Sequence, residues 1–152
     1  MEKGETIVKN DIISAASGLF RGWILSALVL FVSPAAWATP QGAQVVSGSA
    51  NFHQQGNLTT IEVSHRAIIN YDSFSIAQPE TVQFVQPSAD SLVMNRVLGN
   101  LPSRIDGSLL ANGVLILVNQ AGVYVGPNGL VDVGAFYAAA GTMTDQDFGQ
   151  GV

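Results

Sequence analysis

The chain has 152 residues, no Cys and a formal net charge of −5, and only 11% of its residues are charged. This length favours one small domain. The absence of Cys excludes disulfide scaffolds, thiolate metal sites and thiol catalysis, and the acidic balance argues against binding to nucleic-acid phosphates, so that no nucleic-acid partner is expected.

The N-terminal segment has the layout of a signal peptide. An apolar run, Trp23–Val32, is followed by a helix breaker and by small residues at Ala36 and Ala38. The run is about half the roughly 20 apolar residues that a membrane span requires, so that a signal peptide is favoured over an anchor. We predict cleavage after Ala38, which makes Thr39 the first mature residue and residues 1–38 a signal peptide with an extended leader.

The rest of the chain reads as all-β. Apolar residues do not recur with the helical period, and no convincing helix is predicted. Short β-rich runs alternate with Gly, Asn, Pro, Asp and Ser, the residues that satisfy turn geometry. The predicted strands are Leu58–Val63, Ala67–Ile76, Thr81–Val85, Ser91–Val97, Gly113–Asn119, Gly122–Gly126 and Gly129–Ala140.

A degenerate repeat marks the C-terminal half of the sequence. "ANGVLILVN", "QAGVYVG" and "PNGLVDVG" each place a Gly before an apolar run and a polar corner after it. Such a repeat favours a coiled parallel β-solenoid, with about five turns of roughly 20–25 residues in the mature chain. Short strands with regular turns also fit a β-sandwich. Periodicity by itself leaves both architectures open.

Two long blocks carry a more specific signal. "RAIINYDSFSIAQPETVQFVQPSADSLVMNRVLG", Arg66–Gly99, resembles the N-terminal secretion domain of the filamentous haemagglutinin family, the large exoproteins of two-partner secretion in Gram-negative bacteria. Ser103–Phe148 resembles the second half of that domain. The resemblance implies the N-terminal portion of a right-handed parallel β-helix, preceded by a cleavable signal peptide. Residues 39–152 are then the two-partner secretion, or haemagglutination activity, domain of a longer exoprotein.

The resemblance also implies a function and partners. The domain is expected to target an adhesin-like exoprotein for secretion through a cognate outer-membrane β-barrel transporter with soluble periplasmic domains. The product would be secreted or displayed on the cell surface after crossing the periplasm and the outer membrane. An adhesin module that contacts host-cell or glycan surfaces is the alternative. A β-helical polysaccharide-cleaving enzyme needs paired carboxylates, whereas the mature acids are scattered singly, so that no enzymatic activity and no cofactor are expected.

Four residues are candidates for transporter recognition or for forming corners between rungs, which are the successive turns of the solenoid. They are Asn95, Arg96, Asn119 and Gly122. Asn95 is predicted to close a corner by bonding unpaired backbone groups. For Arg96 two alternatives stand, an outward surface that meets a partner or an ion pair with an acid such as Asp106. Asn119-Gln120-Ala121-Gly122 replaces the Asn-Pro-Asn-Gly turn common in the family, and keeps the Asn and Gly without the Pro that fixes φ.

The sequence offers few candidate ligands for a metal ion. His53 and His65 have no nearby partner ligands in the sequence, and both are expected to be surface residues. Asp132, Asp145 and Asp147 do not complete the oxygen set of a calcium loop. We therefore expect no metal site.

Overall fold

The computed structural model describes residues 39–150. They form a β-solenoid of about four turns. Ten strands and one short helix follow in chain order: β1 (Gln44–Ser47), β2 (Ala50–Gln55), β3 (Leu58–Val63), β4 (Arg66–Tyr71), β5 (Thr81–Val85), β6 (Leu92–Val97), β7 (Ser103–Ile105), β8 (Ser108–Asn119), β9 (Val123–Val125), β10 (Leu130–Ala139) and α1 (Asp145–Gln150).

Parallel pairing between successive turns builds the solenoid. One stack runs β3, β5, β8, β10, and a second runs β4, β6, β8, β10. β8 serves both stacks, because its first part pairs with β5 and its second part with β6. Paired strands lie 20 to 27 residues apart in sequence, as between Ser103 and Val123 (123 − 103) and between Thr81 and Ser108 (108 − 81). Parallel neighbours at this spacing form a coil, and the β-sandwich alternative is excluded.

Aliphatic ladders fill the inside of the coil. Alternate residues of a strand face opposite sides of its sheet, so that Ile69 of β4 and Leu117 of β8 lie on the inner face at the same level. Every rung contributes inward side chains of this kind, and they merge into one core. Because each rung buries its apolar residues only against neighbouring rungs and the opposite wall, stability is shared along the stack.

The N-terminal end of the stack differs from the sequence prediction. β1 pairs antiparallel with β4, and β2 pairs antiparallel with β3. Residues 44–55 therefore cap the coil instead of adding a turn, and the prediction of about five turns is wrong. The predicted strand Ala67–Ile76 also ends early, at Tyr71, where Asp72 N donates to the carbonyl oxygen of Gln41, before the cap.

A helix was missed in the sequence. α1 lies on the outer face of the second stack, where its Phe148 is buried against Ile68, Met94 and Ile116. Six residues do not form a stable helix alone, so that this helix depends on the surface beneath it. Within residues 39–150, no helix is long and apolar enough to cross a bilayer.

Candidate functional site

Asn95 lies in the middle of β6, so its predicted corner position is wrong. Its neighbours in register are Ile69 and Leu117, and its side chain is fully buried on the inner face of the coil. Nδ2 donates to the carbonyl oxygen of Ile116 at 3.3 Å. Asn95 faces inward because the alternation of β6 places Val93, Asn95 and Val97 on one side of the strand. Asn95 thus links two rungs from within the core.

Arg96 is on the opposite, outer face of β6, and it does not pair with Asp106. Its Nε donates to Asn70 Oδ1 at 2.9 Å, and its Nη1 donates to Met143 O at 3.0 Å and to Asp145 Oδ1 at 2.7 Å. The predicted partner Asp106 contacts Arg104 instead, at 3.6 Å. With its side chain only 19% exposed, Arg96 is engaged by its own chain. This geometry favours the ion-pair alternative over a free outward cation.

Asn119 and Gly122 form a corner between β8 and β9. Asn119 ends β8 and is fully buried, and its Nδ2 donates to Leu101 O and to Ser103 Oγ, both at 3.0 Å. Its Oδ1 accepts from Ala121 N at 2.9 Å, and Gly122 N closes the turn on Asn119 O at 3.0 Å. Gly122 has φ of 105°, a conformation that costs glycine little. The turn forms although no Pro fixes φ within it.

A second polar corner is built around Gln86. Gln86 is buried, and its Nε2 donates to Ser91 O while its Oε1 accepts from Gly113 N. Asn112 bonds both backbone groups of Gln86 at 2.7 Å. The Asn112-Gly113 pair is visible as a turn signal, but a lone Gln before Pro carries no such signal. Gln86 acts as an internal corner only because three separate segments meet around it.

One serine–histidine contact exists among the described residues. His65 Nδ1 lies 3.1 Å from Ser91 Oγ, which also accepts from Ser88 N. Ser91 is fully buried, so that a substrate has no access to its hydroxyl. His53 lies on the exposed strand β2 and pairs in register with Thr60. Within residues 39–150, no group of three or more His, Asp or Glu side chains converges to hold a metal ion.

Asp147 has a local structural role. Its Oδ2 accepts from Thr144 N at 2.9 Å and from the Thr144 hydroxyl, and Thr144 Oγ1 accepts from Asp147 N. These hydrogen bonds lower the pKa of Asp147. Because the folded pKa is depressed, the stabilisation is present above the ordinary carboxyl pKa and is lost as pH falls through the lowered one. Asp145 binds Arg96, and Asp132 is exposed on β10.

The predicted cleavage site is only partly within the described residues. Ala36 and Ala38 lie outside them. Thr39 is the first described residue, and its carbonyl and hydroxyl oxygens accept from Gln41 Nε2 at 3.0 and 2.9 Å. Cleavage after Ala38 remains a prediction.

Three buried polar side-chain atoms have no hydrogen-bond partner among residues 39–150: Thr59 Oγ1, Tyr71 Oη and Asn95 Oδ1. Burial raises the pKa of the Tyr71 hydroxyl far above its usual range. Since a buried hydroxyl without a partner costs about 1–3 kcal/mol, we expect Tyr71→Phe to raise the free energy of unfolding by about 1 kcal/mol. Chemical denaturation measures this free energy of unfolding. Tyr124→Phe, at an exposed tyrosine, is the control and should leave the free energy unchanged. A less stable Tyr71→Phe protein would show that the hydroxyl is bonded in solution.

Comparisons with known proteins agree on one family. The model of the TPS secretion domain, where TPS stands for two-partner secretion, matches residues 36–152. Two heme/hemopexin-binding proteins of Haemophilus influenzae are similar: one is 40% identical over 100 residues, 65% of this chain and 11% of its own length. The other is 32% identical over 122 residues, 76% of this chain and 13% of its own length.

A solved structure supports the same assignment. The crystal structure of the HMW1 secretion domain from Haemophilus influenzae matches with a TM-score of 0.72 at 36% identity, over 73% of this chain and 30% of that chain. The resemblance seen in Arg66–Gly99 and Ser103–Phe148 to a two-partner secretion domain is therefore confirmed. A family match across the whole described region, together with a shared solenoid, shows that the chain belongs to the TPS secretion domain family.

Proposed function

We propose that residues 39–152 are recognised by an outer-membrane β-barrel transporter through its soluble periplasmic domains and are passed outward as an unfolded chain. The observation that carries this proposal is the family match over residues 36–152. In the proposed sequence of events, the first 38 residues direct inner-membrane export and are removed after Ala38. The chain then folds outside the cell into a right-handed coil, the hand that parallel crossovers adopt in nearly all proteins.

The contacts between rungs support folding after passage. Asn119 Nδ2 donates to Ser103 Oγ and Asn95 Nδ2 donates to Ile116 O, so that each buried amide nitrogen has a partner 16 or 21 positions away. Such bonds form only when two successive rungs are free to stack. Before that point the strands offer unpaired backbone groups, which suit addition to a sheet edge of a periplasmic partner. Stacking outside would then favour outward movement.

Charge is also compatible with passage through a pore. Of the six Lys and Arg residues in the sequence, only Arg66, Arg96 and Arg104 follow residue 38. In the folded domain Arg66 and Arg96 both bond residues of the C-terminal segment. A chain with so few cations has little attraction for anionic lipid headgroups during transit.

Expression with and without the cognate transporter tests the proposal. With the transporter, we expect the protein in the medium, and mass spectrometry should find Thr39 at its N-terminus. Without it, the processed form should stay in the periplasm and be degraded, with a drop in medium yield of about tenfold or more. Detection of the processed periplasmic form is the control for inner-membrane export. Equal yields in the medium with and without the transporter would refute two-partner secretion for this chain.

A further inference from the structure

An apolar strip crosses the outer face of the second stack. Ile68 of β4, Met94 of β6 and Ile116 of β8 are in register on adjacent strands. Each is at most 3% exposed, although each points away from the interior of the coil. They form a cluster separate from the inner core, completed by Val118 and Phe148. The strip is therefore buried by what lies on it and not by the coil itself.

The C-terminal segment, residues 141–150, covers this strip, and we call it the clasp. Strand pairing in the second stack ends at Ala139, which pairs with Val118. Beyond that point Phe148 inserts its ring into the strip and is 4% exposed. The clasp thus lies on the coil through side chains and carries no strand of its own.

Two arginines hold the clasp from either side. Arg66 Nη2 donates to Phe148 O at 2.6 Å, and its guanidinium lies 5.0 Å from the centroid of the Phe148 ring. Arg96 binds Met143 O and Asp145. Charge-assisted bonds and cation–π contacts of this kind are stronger than neutral ones. The contacts of Arg66 and Arg96 with the clasp come from two rungs, so that all of them form only once β4 and β6 are stacked.

The clasp is marginal as a local structure. Thr144 and Asp147 form a reciprocal cap at the start of α1. The helix is only six residues long, and Gly149 near its end lowers helix propensity. Only Phe148 is buried in α1. Segments with few buried contacts open at lower free energy than the core they lie on.

We propose that the clasp opens and closes on the strip as a unit while the solenoid stays folded, and that Arg66, Arg96 and Phe148 set the closed fraction. The observations that carry this proposal are the separate outer cluster, the side-chain attachment and the two arginine contacts. Opening exposes an apolar strip flanked by two of the three cations that follow residue 38. The closed form hides that strip from other chains.

Hydrogen exchange followed by mass spectrometry tests the clasp in the full mature chain. We expect residues 144–150 to exchange about tenfold or more faster than β6 and β8 in the wild type, as expected for local opening. Phe148→Ala and Arg96→Gln should each accelerate exchange in the clasp further, with β6 and β8 unchanged. Gly149→Ala should slow it, because its added methyl group meets no atom within 4 Å and Ala favours the helix.

Arg104→Gln is the matched control, because Arg104 is 63% exposed and its ion pair with Asp106 lies away from the clasp. Its exchange pattern should be that of the wild type. Equal exchange rates in the clasp and in β6 and β8 of the wild type would overturn the proposal, since the clasp would then open only with the whole fold. A Phe148→Ala protein in which all strands exchange faster together would overturn it as well.

Discussion

Replacing Asn119 by Ala should lower the free energy of unfolding by about 2–4 kcal/mol, because each buried polar group left without a partner costs about 1–3 kcal/mol. The substitution removes three hydrogen bonds at once, to Leu101 O, Ser103 Oγ and Ala121 N. Ser103 is fully buried, so that water cannot replace the lost amide without opening the corner. Thermal unfolding followed by circular dichroism should show a midpoint lower by roughly 10 °C for a domain of this size.

Asn100→Ala is the control for this experiment. Asn100 is exposed in the loop before the same corner, and a surface substitution of this type changes stability by no more than about 0.5 kcal/mol. If Asn119→Ala unfolds at the temperature of Asn100→Ala, the amide does not hold the corner and the turn is maintained by Gly122 and the backbone alone.

Gly107→Ala should cost about 3 kcal/mol or more, the upper range for forcing an added methyl group into a packed site. A Cβ at this position would overlap the carbonyl oxygens of Ala77 and Glu80. Neither oxygen is free to move, since Ala77 O accepts from Glu80 N at 2.7 Å and Glu80 O accepts from Ser108 N at 3.0 Å. Two rungs approach here to backbone contact, and only a residue without a side chain fits between them.

Gly141→Ala is the matched variant for Gly107→Ala. A Cβ on Gly141 meets no atom within 4 Å, and replacing Gly by Ala restricts the unfolded chain, so that stability should be unchanged or higher by up to about 1 kcal/mol. Urea denaturation of both variants measures the difference. Equal midpoints for the two proteins would mean that the rungs separate easily at Gly107, contrary to the packing described.

Local chemistry explains which strands were predictable. β3 and β5 were predicted with their observed bounds, because turn residues flank each run and its side chains alternate between core and solvent. The Asn119–Gly122 corner was also visible, since Asn and Gly satisfy a turn whatever surrounds it. The sequence blocks were specific enough to identify the secretion domain, which decided between coil and sandwich.

Other features depend on residues distant in sequence. β1 and β2 were not among the predicted strands, and their antiparallel capping role arises only from the open edges of β4 and β3. α1 carries one local signal, the Thr144–Asp147 cap, but a single apolar residue does not predict a helix. Phe148 stabilises it only because the outer strip of the second stack is apolar.

The sequence by itself determined the all-β class, the family and the corner at Asn119, because turn propensity and motif order act over a few residues. Only the tertiary structure decided the roles of Asn95 and Arg96. The two are adjacent in β6 and so point to opposite faces, and nothing local says which face is inside. On the inner face, Asn95 donates to the carbonyl oxygen of Ile116. On the outer face, Arg96 binds Asp145, which lies 49 residues further along the chain. The stacking of the rungs therefore decides which partner each of these two residues contacts.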